Sequence, residues 1–207
     1  MSVLVMKHNS RQIPSDKSIV GNKQYYDLLF GYLQTESLYD KDEKMPYLEK
    51  RQVNYTKLAA ELKISRQTAS KYVKHLLDCG IMVYDEYRKR YWLPPIDRQL
   101  AVLLPVNTVR IICNTLHPRC LSILAYLLKT YIQHNNEPCD INMEVIKDYV
   151  GLNPKNRGIN SEIIRDCMFV LKKLELIDYK VEKRVENNTT KTYYVLLWVN
   201  NEVDMVA

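Results

Sequence analysis

Apolar positions along the chain fall into helical and strand-like spacings that follow one another in a recurring order. Tyr26, Leu29, Phe30 and Leu33 stand at i, i+3, i+4 and i+7, which predicts a helix capped by Asn22 and running to about Gln34. Residues 35–53 are charged and carry Pro46, so a loop with one short strand is expected there. Asn54 then opens a short helix, Tyr55 to Leu62, with Leu58, Ala59 and Leu62 on one face. Ser65 caps a longer one, Arg66 to Cys79, whose Ala69, Val73, Leu76 and Leu77 point inward. Gly80 suits the position just past a helix end, where a positive φ is cheap for glycine. Ile81–Tyr84 and Tyr91–Leu93 read as two strands joined by a turn that bears Arg88, Lys89 and Arg90, and Pro94-Pro95 closes the unit.

The second half repeats this order. Residues 1–21 lack a clear period and predict an extended arm with a short strand. Residues 96–117 read as a connector, with a strand from Leu100 to Leu104 and a short helix from Asn107 to Thr115. Pro118 opens a long, almost wholly apolar helix to about Gln133, and a polar loop follows at 134–140. Asn142 caps Met143–Val150, and Asn160 or Ser161 caps Glu162–Leu174. A hairpin, Leu176–Val185 with Lys191–Val199, turns through Glu186-Asn187-Asn188-Thr189. Aligning the helix exits sets Leu76 against Leu171, Gly80 against Glu175 and Ile81 against Leu176. The predicted class is therefore mainly α with small β-hairpin wings (α+β). Two tandem winged-helix domains are expected, at residues 22–95 and 118–200, with a C-terminal tail at 201–207.

Charge sharpens the picture. The net charge is +6 over 207 residues, and +5 of it falls in residues 1–95. Between Lys57 and Lys74 stand five basic residues and one acid, Glu61. A cationic surface suits a polyanion. The five cysteines are scattered with no CxxC pair, so neither a disulfide framework nor a metal site is expected. The isolated histidines and five glycines give no phosphate loop, HExxH, GxSxG or His-x-His pair. No cofactor and no catalytic residues are assigned, and a non-enzymatic protein is expected. No apolar run is long enough to span a membrane, and the expected location is cytoplasmic.

The candidate chemistry lies in the capped helix. Ser65, Arg66, Gln67 and Thr68 form its start, the end that enters a major groove. There Arg66 can pair with guanine and Gln67 with adenine, through two hydrogen bonds each. Ser70, Lys71 and Lys74 follow on the outer face, toward phosphates. Arg88, Lys89 and Arg90 are expected at the wing tip, against a minor groove or the flanking backbone. In the second unit, Ser161 and Asp166 replace Arg66 and Lys71, and positive charge gathers instead at Lys155, Arg157, Lys183, Arg184 and Lys191. Two readings stay open there: a weaker DNA contact through turn and wing, or a surface for dimerisation or a partner.

The segment Ile64–Met82, ISRQTASKYVKHLLDCGIM, taken with Lys57–Leu62, resembles the recognition segment of bacterial winged helix-turn-helix proteins. With the connector Leu103–Val109 and the helix Leu121–Tyr131, residues 23–199 are similar to tandem winged-helix replication initiators. Such replisome-organiser-like proteins come from plasmids, phages and related elements of low-GC Gram-positive bacteria. The resemblance implies binding to double-stranded origin repeats, often as a homodimer, and recruitment of host replication proteins. The rival expectations are a transcriptional regulator and a winged-helix docking scaffold of a chromosome-organising complex. A scaffold needs no cationic recognition helix.

Overall fold

The computed structural model describes residues 10–14, 26–95, 101–117, 119–152 and 157–200. The Asn22 cap, Lys155 and the 201–207 tail lie outside the described residues. The elements in chain order are β1 (Ser10–Pro14), α1 (Tyr26–Glu36), β2 (Leu38–Asp40), β3 (Met45–Glu49), α2 (Tyr55–Glu61), α3 (Arg66–Asp78), β4 (Val83–Asp85) and β5 (Arg90–Trp92). They continue with β6 (Ala101–Pro105), α4 (Val106–Thr115), α5 (Arg119–Gln133), β7 (Cys139–Ile141), α6 (Met143–Tyr149), α7 (Arg157–Lys173), β8 (Ile177–Glu186) and β9 (Thr189–Val199). The class is α+β, with antiparallel sheets ordered β1-β6, β2-β3-β5-β4 and β7-β9-β8.

The two halves share local geometry. Asn54 Oδ1 accepts the N–H groups of Thr56 and Lys57 at 2.9 and 3.1 Å, and Asn142 Oδ1 accepts those of Glu144 and Val145 at 3.0 and 3.2 Å. Each cap satisfies donors that a helix start leaves open. Both short helices then end through a left-handed residue, Lys63 (φ 53°) and Gly151 (φ 65°). The residue after each bonds back into its helix: Ile64 N–H to Ala59 O and Leu152 N–H to Lys147 O, both at 3.0 Å. The longer helices match as well. Ala69, Val73 and Leu76 of α3 and Ile164, Met168 and Leu171 of α7 are all fully buried. Each of these helices exits through a positive φ, at Gly80 (70°) and Glu175 (55°). In both sheets the strand before the short helix pairs with the last hairpin strand, β3 with β5 and β7 with β9.

One core runs through both halves. Helix α1 is buried from Leu28 to Thr35 and packs against α3, α4, α5, β1 and β3. Helix α5 is buried from Cys120 to Ala125 and again at Leu127 and Leu128. It touches α1 on one side and α6 and α7 on the other. The connector belongs to the same core, with Val102, Leu104, Val109 and Ile112 buried. Arg110 Nη2 donates to the Thr35 carbonyl at 3.4 Å, at the end of α1.

Four expectations change. Residues 35–53 hold two strands, because the Asp40 carboxylate accepts the Asp42 and Glu43 N–H groups (3.0 and 3.1 Å) and turns the chain into a hairpin. Pro46 stands ahead of the first β3–β5 pair, Tyr47 with Trp92, where its carbonyl accepts Leu93 N–H at 2.9 Å. The 134–140 loop ends in β7, where Cys139 and Ile141 alternate inward. Helix α7 starts at Arg157, so neither Asn160 nor Ser161 caps it. Asn160 is buried one turn ahead of Ile164 on the same face. Strand β4 starts at Val83 because Met82 still bonds back to Leu76 O (3.1 Å), and Arg90 lies in β5 rather than in the turn.

A shared core predicts shared unfolding. The chain carries one tryptophan in each sheet system, Trp92 and Trp198. Urea midpoints read from the single-tryptophan variants Trp92→Phe and Trp198→Phe should coincide. Adding Leu29→Ala should lower both midpoints together, by the equivalent of about 2–5 kcal/mol of unfolding free energy. Separate transitions would mean that the halves unfold independently.

Candidate nucleic-acid interface

Helix α3 is fixed from its start. Ser65 Oγ accepts Thr68 N–H at 3.0 Å and shares a 2.8 Å hydrogen bond with Thr68 Oγ1. The first turn holds no acid, so the positive end of the helix dipole is left uncompensated. The inward face is locked by Ala69, Val73 and Leu76. Tyr72 packs edge-on against Tyr26 (4.8 Å), and His75 stacks on the same ring at 4.1 Å. Those contacts assign Tyr72 to the join with α1. The opposite face presents Gln67, Lys71 and Lys74 to solvent, Arg66 is exposed at the helix start, and Thr68 and Ser70 are half-buried beside them. Among the described residues no carboxylate bridges Arg66, Lys71 or Lys74. The nearby Lys57 is paired with Glu36 at 3.3 Å.

The β4–β5 turn is different. Asp85 Oδ1 accepts the Tyr87 and Arg88 N–H groups, each at 2.9 Å, and Oδ2 accepts Trp92 Nε1 at 3.2 Å. The turn is thereby tied to its own strand. Every cation expected at its tip meets an acid: Arg88 with Glu43 (2.6 Å), Lys89 with Glu86 (2.9 Å) and Arg90 with Asp40 (3.1 Å). Arg90 also lies 4.2 Å over the Tyr47 ring. Asp40 and Glu43 come from the β2–β3 hairpin, and nothing in local sequence pattern brings them to residues so distant. Tyr87, 95% exposed at the tip, is a candidate contact that the charge pattern around it obscured.

In the second unit, Lys183 is exposed, and among the described residues no carboxylate bridges it. Arg184 is held by Asp140 through two bonds (2.6 and 2.9 Å), by Glu182 (2.8 Å), and by the Tyr193 ring at 4.5 Å. Lys191 pairs with Glu186 at 3.0 Å. Arg157 opens α7, and its side chain lies outside the described residues. The α7 positions matching Arg66, Gln67, Lys71 and Lys74 are Ser161, Glu162, Asp166 and Phe169, and Phe169 is 55% exposed. Among the described residues no cluster of three or more His, Cys, Asp or Glu side chains is placed to hold a metal ion. No helix there is long and apolar enough to cross a membrane.

The turn contacts set a pH dependence. The Arg88 and Tyr87 N–H groups and the Trp92 indole hold Asp85 below the usual aspartate range. The Glu43 and Asp42 N–H groups, with Arg90, do the same for Asp40. Groups depressed on folding stabilise above their unfolded pKa, and the benefit is lost as pH falls through the lower folded value. Trp92 emission in Trp198→Phe protein should therefore hold steady down to about pH 4 and change below it. Asp85→Asn should shift the spectrum already at neutral pH. An acid-insensitive Trp92 would contradict the assignment.

No protein-family model matches the sequence, and neither does any curated protein, so the meaning of this surface rests on its own geometry and charge.

Proposed function

We propose that this chain is a sequence-specific double-stranded-DNA-binding protein. It is built as two tandem winged-helix units, residues 22–95 and 118–200, joined by the 96–117 connector. The first unit reads DNA through α3. The observation that carries the reading is the exposed set Arg66, Gln67, Lys71 and Lys74, with its three cations unbridged by acids among the described residues. A solvated cation in water gains by replacing the counterions of a phosphate, whereas a cation already paired gains less. Arg66 and Gln67 serve base edges at the groove-entering end. Ser65, Thr68, Ser70, Lys71 and Lys74 serve the backbone. Arg88, Lys89 and Arg90 make a secondary contact that must first exchange carboxylates for phosphates.

The second unit, on this reading, faces protein. Its matching surface carries Glu162, Asp166 and exposed Phe169. The two acids would repel phosphates and the ring offers apolar area, so a second copy of the chain or a host replication protein fits better than a groove. Lys183, Arg184 and Lys191 then act as a minor electrostatic contribution at most. The process proposed is origin binding for replication of a plasmid, phage or other mobile element, on the strength of the resemblance of residues 23–199 to replication initiators.

Site selection from a random duplex library, followed by anisotropy titration across salt, tests this. Wild-type protein should enrich a defined site, and log K should fall steeply with log salt. Arg66→Ala should cost about 1–3 kcal/mol and relax one base preference. Lys71→Ala and Lys74→Ala should each weaken all duplexes alike and flatten the salt slope by about 1. A selection that enriches nothing, or Arg66→Ala with an unchanged site logo, would overturn the reading. Glu43→Gln should free Arg88 and tighten binding, by up to about 1 kcal/mol; unchanged affinity would remove Arg88 from the contact.

A further inference from the structure

Helices α5 and α7 bring two thiols together. Cys120 lies in the first turn of α5 and Cys167 midway along α7. Both side chains are buried, and the two groups interact electrostatically. In α3 the position matching Cys167 is Tyr72, so this pairing belongs to the second unit alone. Although buried by their neighbours, the two residues also line a cavity of about 380 Å³ whose wall includes His117, Arg119, Ile163, Asp166 and Val170. A small molecule can therefore reach them from the cavity side.

The surroundings distinguish the two sulfurs. The interaction with Cys120 favours the thiolate of Cys167, and the Arg119 guanidinium favours it further against burial and the Asp166 carboxylate, so Cys167 is held below the usual thiol range. Cys120 is pushed up by that interaction and by burial. The guanidinium is itself underused. Its Nε is buried without a hydrogen-bond partner, while Nη1 stands 3.4 Å from His117 Nε2. Reactive cysteines sit beside a cation, with access and a second thiol at hand. Among the described residues all five cysteines are free, and Cys113 and Cys139 lack this setting. Burial pushes Cys113 up to about 12 and raises Cys139 as well.

We propose that Cys120 and Cys167 form an oxidant-reactive pair that hydrogen peroxide converts to a disulfide joining α5 to α7. The Cys167 thiolate attacks one peroxide oxygen, the O–O bond breaks, and the departing hydroxide takes a proton to leave as water. Cys167 is then a sulfenic acid. The Cys120 sulfur attacks the Cys167 sulfur, an S–S bond forms, and the S–O bond breaks. The hydroxide released takes the Cys120 proton as a second water. The two thiols give up two electrons in all, and the peroxide receives them.

Peroxide treatment of the full-length folded protein, followed by non-reducing peptide mapping, tests this without reference to DNA. Wild-type protein should yield a peptide pair joined through Cys120 and Cys167, lighter by two hydrogens and separated by dithiothreitol. Oxidation there should be at least about tenfold faster than at Cys113 and Cys139. The cross-linked protein should also melt higher than the reduced form. Cys120→Ser should trap the intermediate, with dimedone labelling Cys167; Cys167→Ser should leave Cys120 unlabelled. The proposal falls if the pair stays reduced while exposed Cys79 oxidises, or if the cross-link forms only in urea. It falls equally if Cys120 labels in Cys167→Ser as fast as Cys167 does in the reverse variant.

Discussion

A reading helix must be gripped on one face and left uncompensated on the other, and α3 meets both demands. Ala69, Val73 and Leu76 are fully buried. Tyr72 and His75 meet the Tyr26 ring, and Ser65 closes the helix start. That grip fixes which way the remaining residues point. With helical spacing, burying 69, 73 and 76 turns 67, 71 and 74 outward together, and Arg66 is exposed because it is the first residue of the helix. The base-reading and phosphate-binding roles proposed for them all depend on this one packing arrangement.

The second unit shows how far a shared backbone constrains function, which is very little. It keeps the asparagine cap, both left-handed helix exits and the strand pairing of the first. These features answer to the chain itself: orphan donors at helix starts, carbonyls at helix ends, unpaired strand edges. The outward side chains answer only to what they meet. There Lys71 is matched by Asp166 and Lys74 by Phe169. A repeat read at the level of backbone chemistry therefore says that the two units fold alike, and it leaves open whether they bind alike.

The parts legible in the sequence are those set by near neighbours. Asn54, Ser65 and Asn142 announced helix starts, Gly80 announced an exit, and the buried period of α3 and α5 matched the 3.6-residue spacing. Legibility failed where a distant partner decides. Strand β3 carries Pro46 and charged neighbours, so residues 35–53 read as a loop with one short strand, and the pairing of β3 with β5 depends on a distant segment. Asn160, a good cap by type, marks a later start for α7 than the structure has, because it is buried as a face residue inside the helix. Hardest to see was the neutral hairpin tip. Arg88, Lys89 and Arg90 stand together in sequence, yet two of their three acid partners, Glu43 and Asp40, arrive from another hairpin.

That neutralisation concentrates the protein's field. Across the β2–β3 and β4–β5 turns, Lys41, Lys44, Arg88, Lys89 and Arg90 face an equal number of acids: Asp40, Asp42, Glu43, Asp85 and Glu86. At the scale of a Debye length, about 8 Å at physiological salt, such a region exerts little net pull on a phosphate backbone. On α3, Arg66, Lys71 and Lys74 meet no carboxylate among the described residues and keep their pull. A polyanion approaching the first unit is thus drawn to the helix rather than to the hairpin. The hairpin ion pairs are exposed and individually weak, so they yield once a phosphate is already close. On the proposed DNA-binding reading, the order of events is helix first and hairpin second, with orientation on the duplex set by α3 before the turn engages.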